Sequence, residues 1–155
     1  MLQLAQTLVI EPAQEKILLV LHKQGEFEGL YTGLIGYTNE QESPEFAAKR
    51  IAKELCLIDL NEVQLRAHFL MQVENETDAE EFEYYCNSYS GEPGETQAVC
   101  PQWFHFDEIP YSQMPPDDEI WYPPFLAGAF LKGNFSFNRD MSRITSHTLK
   151  ELQSL

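Results

Sequence analysis

One amphipathic helix, flanked by strand-like segments, constrains the fold most. The stretch GYTNEQESPEFAAKRIAKELCLI runs from Gly36 to Ile58. Ser43 is a favourable N-cap, and Pro44 suits the first helical position because its missing N–H would be unpaired there anyway. We therefore predict a helix from Pro44 to about Cys56. Positions 51, 54 and 55 share one side of it, since residues three and four apart are neighbours.

The remaining segments predict an α+β fold. Alternating or β-branched runs predict strands at 5–11, 15–22, 34–37, 63–73, 80–90, 102–106 and 134–138, with a loop at 23–33. A second helix is predicted to begin near Pro116 or Asp117 and to continue through FLAGAF. The tail is predicted as a strand followed by a turn or helix. The order indicates one domain over residues 1–155, a mixed β-sheet sandwiched between helices (α/β/α).

The composition limits the partners. With 10 basic against 25 acidic residues the net charge is −15, which disfavours binding to a nucleic-acid polymer or an anionic membrane. An anionic ligand would need local cations, either bound metal ions or placed Lys and Arg. Three widely spaced cysteines form no zinc or disulfide pattern and favour a cytoplasmic location. We interpret the acidic segment 74–83 as a solvated hairpin tip.

The helix face carries an incomplete set of acids. Three carboxylates at positions 51, 54 and 55 would converge on a divalent cation such as magnesium, which prefers oxygen ligands. Here the three residues are Ile51, Glu54 and Leu55. One acid remains of three, and two apolar side chains replace the others.

The stretch resembles a degenerate Nudix box. Gly36, Glu42, Arg50 and Glu54 match the glycine and charged positions of that motif, and Ile58 matches its final aliphatic residue. Ile51 and Leu55 stand where the box has glutamates, and Leu57 stands at its late glycine. In order along the chain, QTLVI, GLYTGLIG, CPQWFHFDEIPYSQMPPDDEIWYP, KGNFSFN and TLKEL resemble segments of the MutT-type oxidised purine nucleoside triphosphate hydrolases. The resemblance covers roughly residues 6 to 152.

The resemblance implies a chemistry and a set of residues. In active members, box glutamates hold magnesium, and metal-bound water cleaves a nucleoside triphosphate to the monophosphate and pyrophosphate. By position, Glu54 and Glu95 would be remnants of the catalytic and metal-binding set, with Gly36 as a further weak metal contact. Glu42 and Arg50 are predicted to form a structural ion pair.

The resemblance also implies a base pocket. Asp117 and Asp118 match the purine-reading acids, and Thr7, Thr32 and Phe27 would line the pocket. Pro115 and Ala98 replace a stacking tryptophan and a loop acid. Each assignment has a plainer alternative. Asp117 and Asp118 are also typical of a helix N-terminus, where acids interact favourably with the helix dipole. Glu54 is also typical of the solvent-exposed surface of a helix.

Three functions therefore stay open. The first is a Nudix-fold protein with little or no activity that binds a nucleotide or another protein. The second is an active, magnesium-dependent hydrolase of oxidised purine nucleoside triphosphates. The third is a binding module whose groove serves only a protein partner.

Overall fold

The computed structural model describes residues 1–155, which form eleven strands and two α-helices. The helices are α1 (Pro44–Cys56) and α2 (Asp118–Leu126). The strands in chain order are β1 (Leu2–Glu11), β2 (Lys16–His22), β3 (Tyr31–Thr32), β4 (Leu34–Tyr37), β5 (Asp59–Leu60), β6 (Gln64–Val73), β7 (Ala79–Cys86), β8 (Tyr89–Ser90), β9 (Val99–His105), β10 (Phe130–Phe137) and β11 (Ile144–Leu152).

Nine strands form one mixed sheet. Its order is β11-β10-β6-β7-β1-β2-β3, with β4 added to β1 and β9 added to β2. The pairs β1–β7 and β6–β10 are parallel, and the other pairs are antiparallel. Strands β5 and β8 form a separate two-stranded sheet. The mixed α+β architecture agrees with the predicted fold class.

The two helices pack on opposite faces of the sheet, because side chains alternate along each strand. On β1, Ala5 packs in the apolar cluster that contains the inner face of α1. Leu8 and Ile10 pack in the larger cluster that contains Trp121, Tyr122 and other residues of α2. The central strand β1 is therefore covered on both sides. No helix in the structure is long and apolar enough to cross a membrane.

Helix α1 has the predicted bounds, and its caps explain them. The Ser43 side chain accepts a hydrogen bond from the Phe46 N–H at 3.1 Å, which satisfies one free donor of the first turn. At the other end, Leu57 adopts a left-handed conformation with φ of 69°. The helix therefore stops directly after Cys56.

Several predicted bounds are wrong. Helix α2 does not continue through FLAGAF: it ends at Leu126, Gly128 takes a φ of 102°, and the chain enters β10 at Phe130. The tail contains no helix, because β11 pairs with β10 along its length. The segment 80–90 is two strands, since Tyr89–Ser90 leaves the main sheet to pair with β5. The predicted loop 23–33 contains β3, which pairs with β2.

Candidate functional site

The box face of α1 is packed with apolar side chains. Ile51 is only 3% exposed and lies in a cluster with Ala5, Ala48 and Tyr84. Leu55 is partly buried against the same cluster. A Cβ added to Gly36 would lie 3.0 Å from the Ile51 side chain, so β4 and α1 are in close contact here. The face of α1 that would present two carboxylates is instead packed with apolar side chains.

Arg50 ties the loop before α1 to the helix. Its Nε donates to Glu42 Oε2 at 2.7 Å, and its Nη2 donates to Glu42 Oε1 at 2.8 Å and to the Tyr37 carbonyl at 2.9 Å. These hydrogen bonds from Arg50 are the main reason that the pKa of Glu42 falls to about 2. The two-pronged geometry fits the structural role that the sequence predicts for this pair.

Each of the two remaining acids, Glu54 and Glu95, pairs with a basic side chain of the protein and is exposed to solvent. Glu54 Oε2 accepts a hydrogen bond from Arg50 Nη1 at 3.0 Å, and the Glu54 side chain is 61% exposed. Glu95 forms an ion pair with Lys23, and its side chain is 58% exposed. Lys23 also donates to the Thr96 carbonyl at 2.7 Å, which fixes it in that loop.

The residues of the box face do not fit a magnesium ion. Magnesium requires a near-octahedral set of oxygen ligands. The side chains of Ile51 and Leu55 have no oxygen atom that could bind the metal. The Glu54 carboxylate already accepts a hydrogen bond from Arg50. Nowhere in the structure do three or more His, Cys, Asp or Glu side chains come together so that they could hold a metal ion.

A cavity of about 410 Å³ opens on the opposite side of the sheet, between β1, β4, β7 and the start of α2. Asp117, Asp118, Thr32 and Phe27 all line it, so the structure brings these four predicted residues together. Thr7 does not line it. Alternation along β1 directs Thr7 to the α1 face, where its Oγ1 is buried without a hydrogen-bond partner.

Thr32 and Phe27 are held by a histidine on β2. The His22 ring contacts Thr32 Oγ1 through Nε2 at 2.7 Å, and its centroid lies 5.4 Å from that of Phe27. Burial lowers the pKa of His22, which favours the neutral ring. Thr32 Oγ1 donates to the Gly33 carbonyl at 2.6 Å, so its orientation is fixed from two sides.

Two buried acids of β7 were missed by the sequence reasoning. Glu81 and Glu83 belong to the segment 74–83, which the sequence indicated as a solvated hairpin tip, and that interpretation is wrong for both. Glu81 lines the cavity, and Glu83 Oε2 accepts a hydrogen bond from the Gln6 side chain at 2.8 Å. Alternation with the apolar Phe82 and Tyr84 was the available signal, because it directs the glutamates to the α2 face.

The buried acids favour their protonated forms. Burial raises the pKa of Glu81 to about 7, with help from the charges of Asp117 and Glu26. Burial and then the neighbouring acids raise the pKa of Glu83 and Asp118 well above their ordinary values. Burial also raises the pKa of Asp117, but hydrogen bonds oppose that rise, among them one from the Trp121 N–H to Asp117 Oδ2 at 2.9 Å and one with Asp118. The cavity floor can therefore both donate and accept hydrogen bonds.

Comparison with known proteins defines the class. No family model matches the chain. A solved MutT protein of Bacillus halodurans has the same fold, with a TM-score of 0.84 at 19% identity over 97% of this chain and 98% of that one. The protein thus has the Nudix fold of MutT-type proteins.

The sequence relatives narrow the class. The chain is 31% identical over 149 residues to the oxidized purine nucleoside triphosphate hydrolase of Danio rerio, covering 96% of this chain and 94% of the relative. It is 29% identical over 149 residues to the Mus musculus protein of that name, covering 96% and 95%. The chain belongs to the oxidized purine nucleoside triphosphate hydrolase family.

Proposed function

We propose that this protein binds a purine-type ligand in the cavity beside α2 and has lost most or all of the magnesium-dependent hydrolysis of its family. The observation that carries the proposal is the contrast between two places. The box face is closed by Ile51 and Leu55, whereas the cavity keeps Asp117 and Asp118 at its floor.

The binding half of the proposal depends on hydrogen-bond chemistry. A purine edge presents N–H donors and ring-nitrogen acceptors side by side. An ionised carboxylate only accepts, but a protonated one also donates, so two adjacent acids of unequal protonation match such an edge. Asp118 has the higher pKa of the pair because Asp117 and Glu81 add their charges to the effect of burial. Phe27 offers an aromatic face on the same wall.

The catalytic half of the proposal depends on what the box face lacks. Activation of water and neutralisation of a triphosphate both require bound metal in this chemistry. Loss of groups that act as a unit lowers turnover by several orders of magnitude. Glu54 and Glu95 are exposed carboxylates on separate segments, and each is paired with a different cation. They support weak metal association at most.

A thermal-shift series tests the binding. We expect purine nucleosides or nucleotides to raise the melting temperature saturably, since a ligand that binds only the folded state stabilises it. Asp118→Ala should lose at least tenfold in affinity, because it removes both the donor and the acceptor that this carboxyl offers. Asp107→Ala, at an exposed acid outside the cavity, is the matched control.

A melting temperature unchanged by every purine ligand would contradict the binding half of the proposal. It would favour the alternative in which the groove serves only a protein partner.

A further inference from the structure

The wall of the cavity is strongly acidic. Arg139 is its one basic residue. Six acidic residues line the same cavity: Glu26, Glu76, Glu81, Asp117, Asp118 and Asp140. The exposed Glu26, Glu76 and Asp140 make the rim of this wall negative, so it disfavours an anionic ligand, whereas a neutral or cationic ligand meets no such repulsion.

One buried carboxyl oxygen at the floor has no hydrogen-bond partner in the protein. Asp118 lines the cavity, is 3% exposed, and its Oδ2 makes no hydrogen bond. Glu83, fully buried next to Glu81, does not line the cavity, and the two carboxyl groups share a hydrogen bond. A buried polar atom without a hydrogen bond is costly, so its survival in a cavity wall indicates a ligand that supplies the missing group. The acids are not grouped so that a metal ion could be that ligand.

The passage from the cavity to the box helix offers no cation for a phosphate chain. Tyr37 forms this boundary: its side chain lines the cavity, and its carbonyl accepts from Arg50. The Tyr37 hydroxyl donates to Glu26 Oε1 at 2.5 Å, which places a carboxylate on the boundary. Arg50 is occupied by Glu42 and Glu54, and Lys23 by Glu95. A phosphate chain leaving the cavity on this side would meet negative charge.

We propose that the ligand of this cavity is a purine-type base or nucleoside without a phosphate chain, held by several N–H donors on the carboxyl groups of Asp117, Asp118 and Glu81. This inference rests on the proposed function and narrows it. The protein then binds its ligand less tightly as phosphates are added, whereas an enzyme that acts on nucleoside triphosphates must bind the phosphate chain.

Calorimetric titration of the full chain with guanosine, GMP, GDP and GTP, with and without magnesium, tests the inference. Guanine is the probe because its edge carries several N–H donors. We expect affinity to fall with each added phosphate, by at least tenfold in total from guanosine to GTP. Glu26→Gln should narrow the difference between guanosine and GTP several-fold. Glu108→Gln removes the same charge from an exposed residue outside the cavity and should leave that ratio unchanged.

The outcomes separate the two claims. Affinity that rises with the number of phosphates overturns the phosphate-free ligand but leaves purine binding intact. Affinity that stays constant from guanosine to GTP also overturns the phosphate-free ligand. Absence of binding by all four compounds contradicts the proposed function, and this inference with it.

Discussion

The contact between Gly36 and Ile51 shows why a change at one residue affects more than its own position. In the box pattern, position 51 would carry a solvated acid beside a glycine. Here Ile51 turns toward β4 and fills the space above Gly36. Full burial of such a side chain contributes about 1.5–3 kcal/mol to stability. At this position the metal-binding carboxylate of the box pattern is replaced by an apolar side chain that packs against β4.

This contact predicts energetic coupling between the two positions. Gly36→Ala should lower the free energy of unfolding by about 1–3 kcal/mol, because its new Cβ would press on Ile51. In an Ile51→Ala background the same change should cost much less, since the obstructing atoms are gone. A double-mutant cycle in urea measures the difference. Additivity within about 0.5 kcal/mol would show that a side chain placed at position 36 does not contact Ile51.

At the scale of the residue, the sequence identified some residues of the candidate site and missed others. Asp117, Asp118, Thr32 and Phe27 were found through the resemblance, and the structure places them around one cavity. Glu81 and Glu83 were missed, because an acidic run normally lies in solvent. They are buried by tertiary neighbours on that face of β7, which include Gln6 of β1 and residues of α2, and these contacts are not visible in the local sequence.

At the scale of the element, α1 was predictable because its signals are local. The Ser43 cap and Pro44 fix its start, and the apolar period fixes its inner face. The end of α2 and the extent of β11 were not predictable in this way. β11 is a strand because β10 offers it an edge, and α2 ends where the chain turns into β10. Distant pairing, not local propensity, decides both.

The end of α1 gives a second prediction. Leu57 occupies a left-handed conformation, with φ of 69°, at the position where the box pattern has glycine. That conformation costs a residue with a side chain roughly 1–2 kcal/mol relative to glycine. Because both changes remove the same leucine contacts, Leu57→Gly should be more stable than Leu57→Ala by about 1 kcal/mol. Chemical denaturation of the two variants measures this. If Leu57→Ala equals or exceeds Leu57→Gly, the strain at this cap is absent.

At the scale of the whole molecule, the buried acids should control how stability depends on pH. In the folded state the pKa of Glu81 is raised from an ordinary 4.5 to about 7. Between those values the folded protein holds a proton that the unfolded chain releases, so stability falls as pH rises. Glu83 and Asp118 act in the same direction, and Glu26 and Asp117 face the same group. Glu42, with its pKa lowered to about 2, acts oppositely in acid.

We therefore expect maximal stability near pH 5, at the acid end of the range that is usual for proteins. Each pKa unit corresponds to about 1.4 kcal/mol, so the decline from pH 5 to pH 8 should reach a few kcal/mol. Melting temperatures recorded across that range measure it. Glu81→Gln should flatten the profile, since the amide does not titrate. A profile that is level or rising from pH 5 to pH 8 would contradict the buried acid cluster.

The central claim is that apolar side chains occupy the surface where the family's metal ions would bind. Its most direct test is release of pyrophosphate and monophosphate from oxidised and unmodified purine nucleoside triphosphates, with millimolar magnesium or manganese. We expect rates indistinguishable from those of a Glu54→Gln/Glu95→Gln double variant, because neither remnant acid belongs to a working metal site. Metal-dependent turnover far above that variant would show that this chain is an active hydrolase.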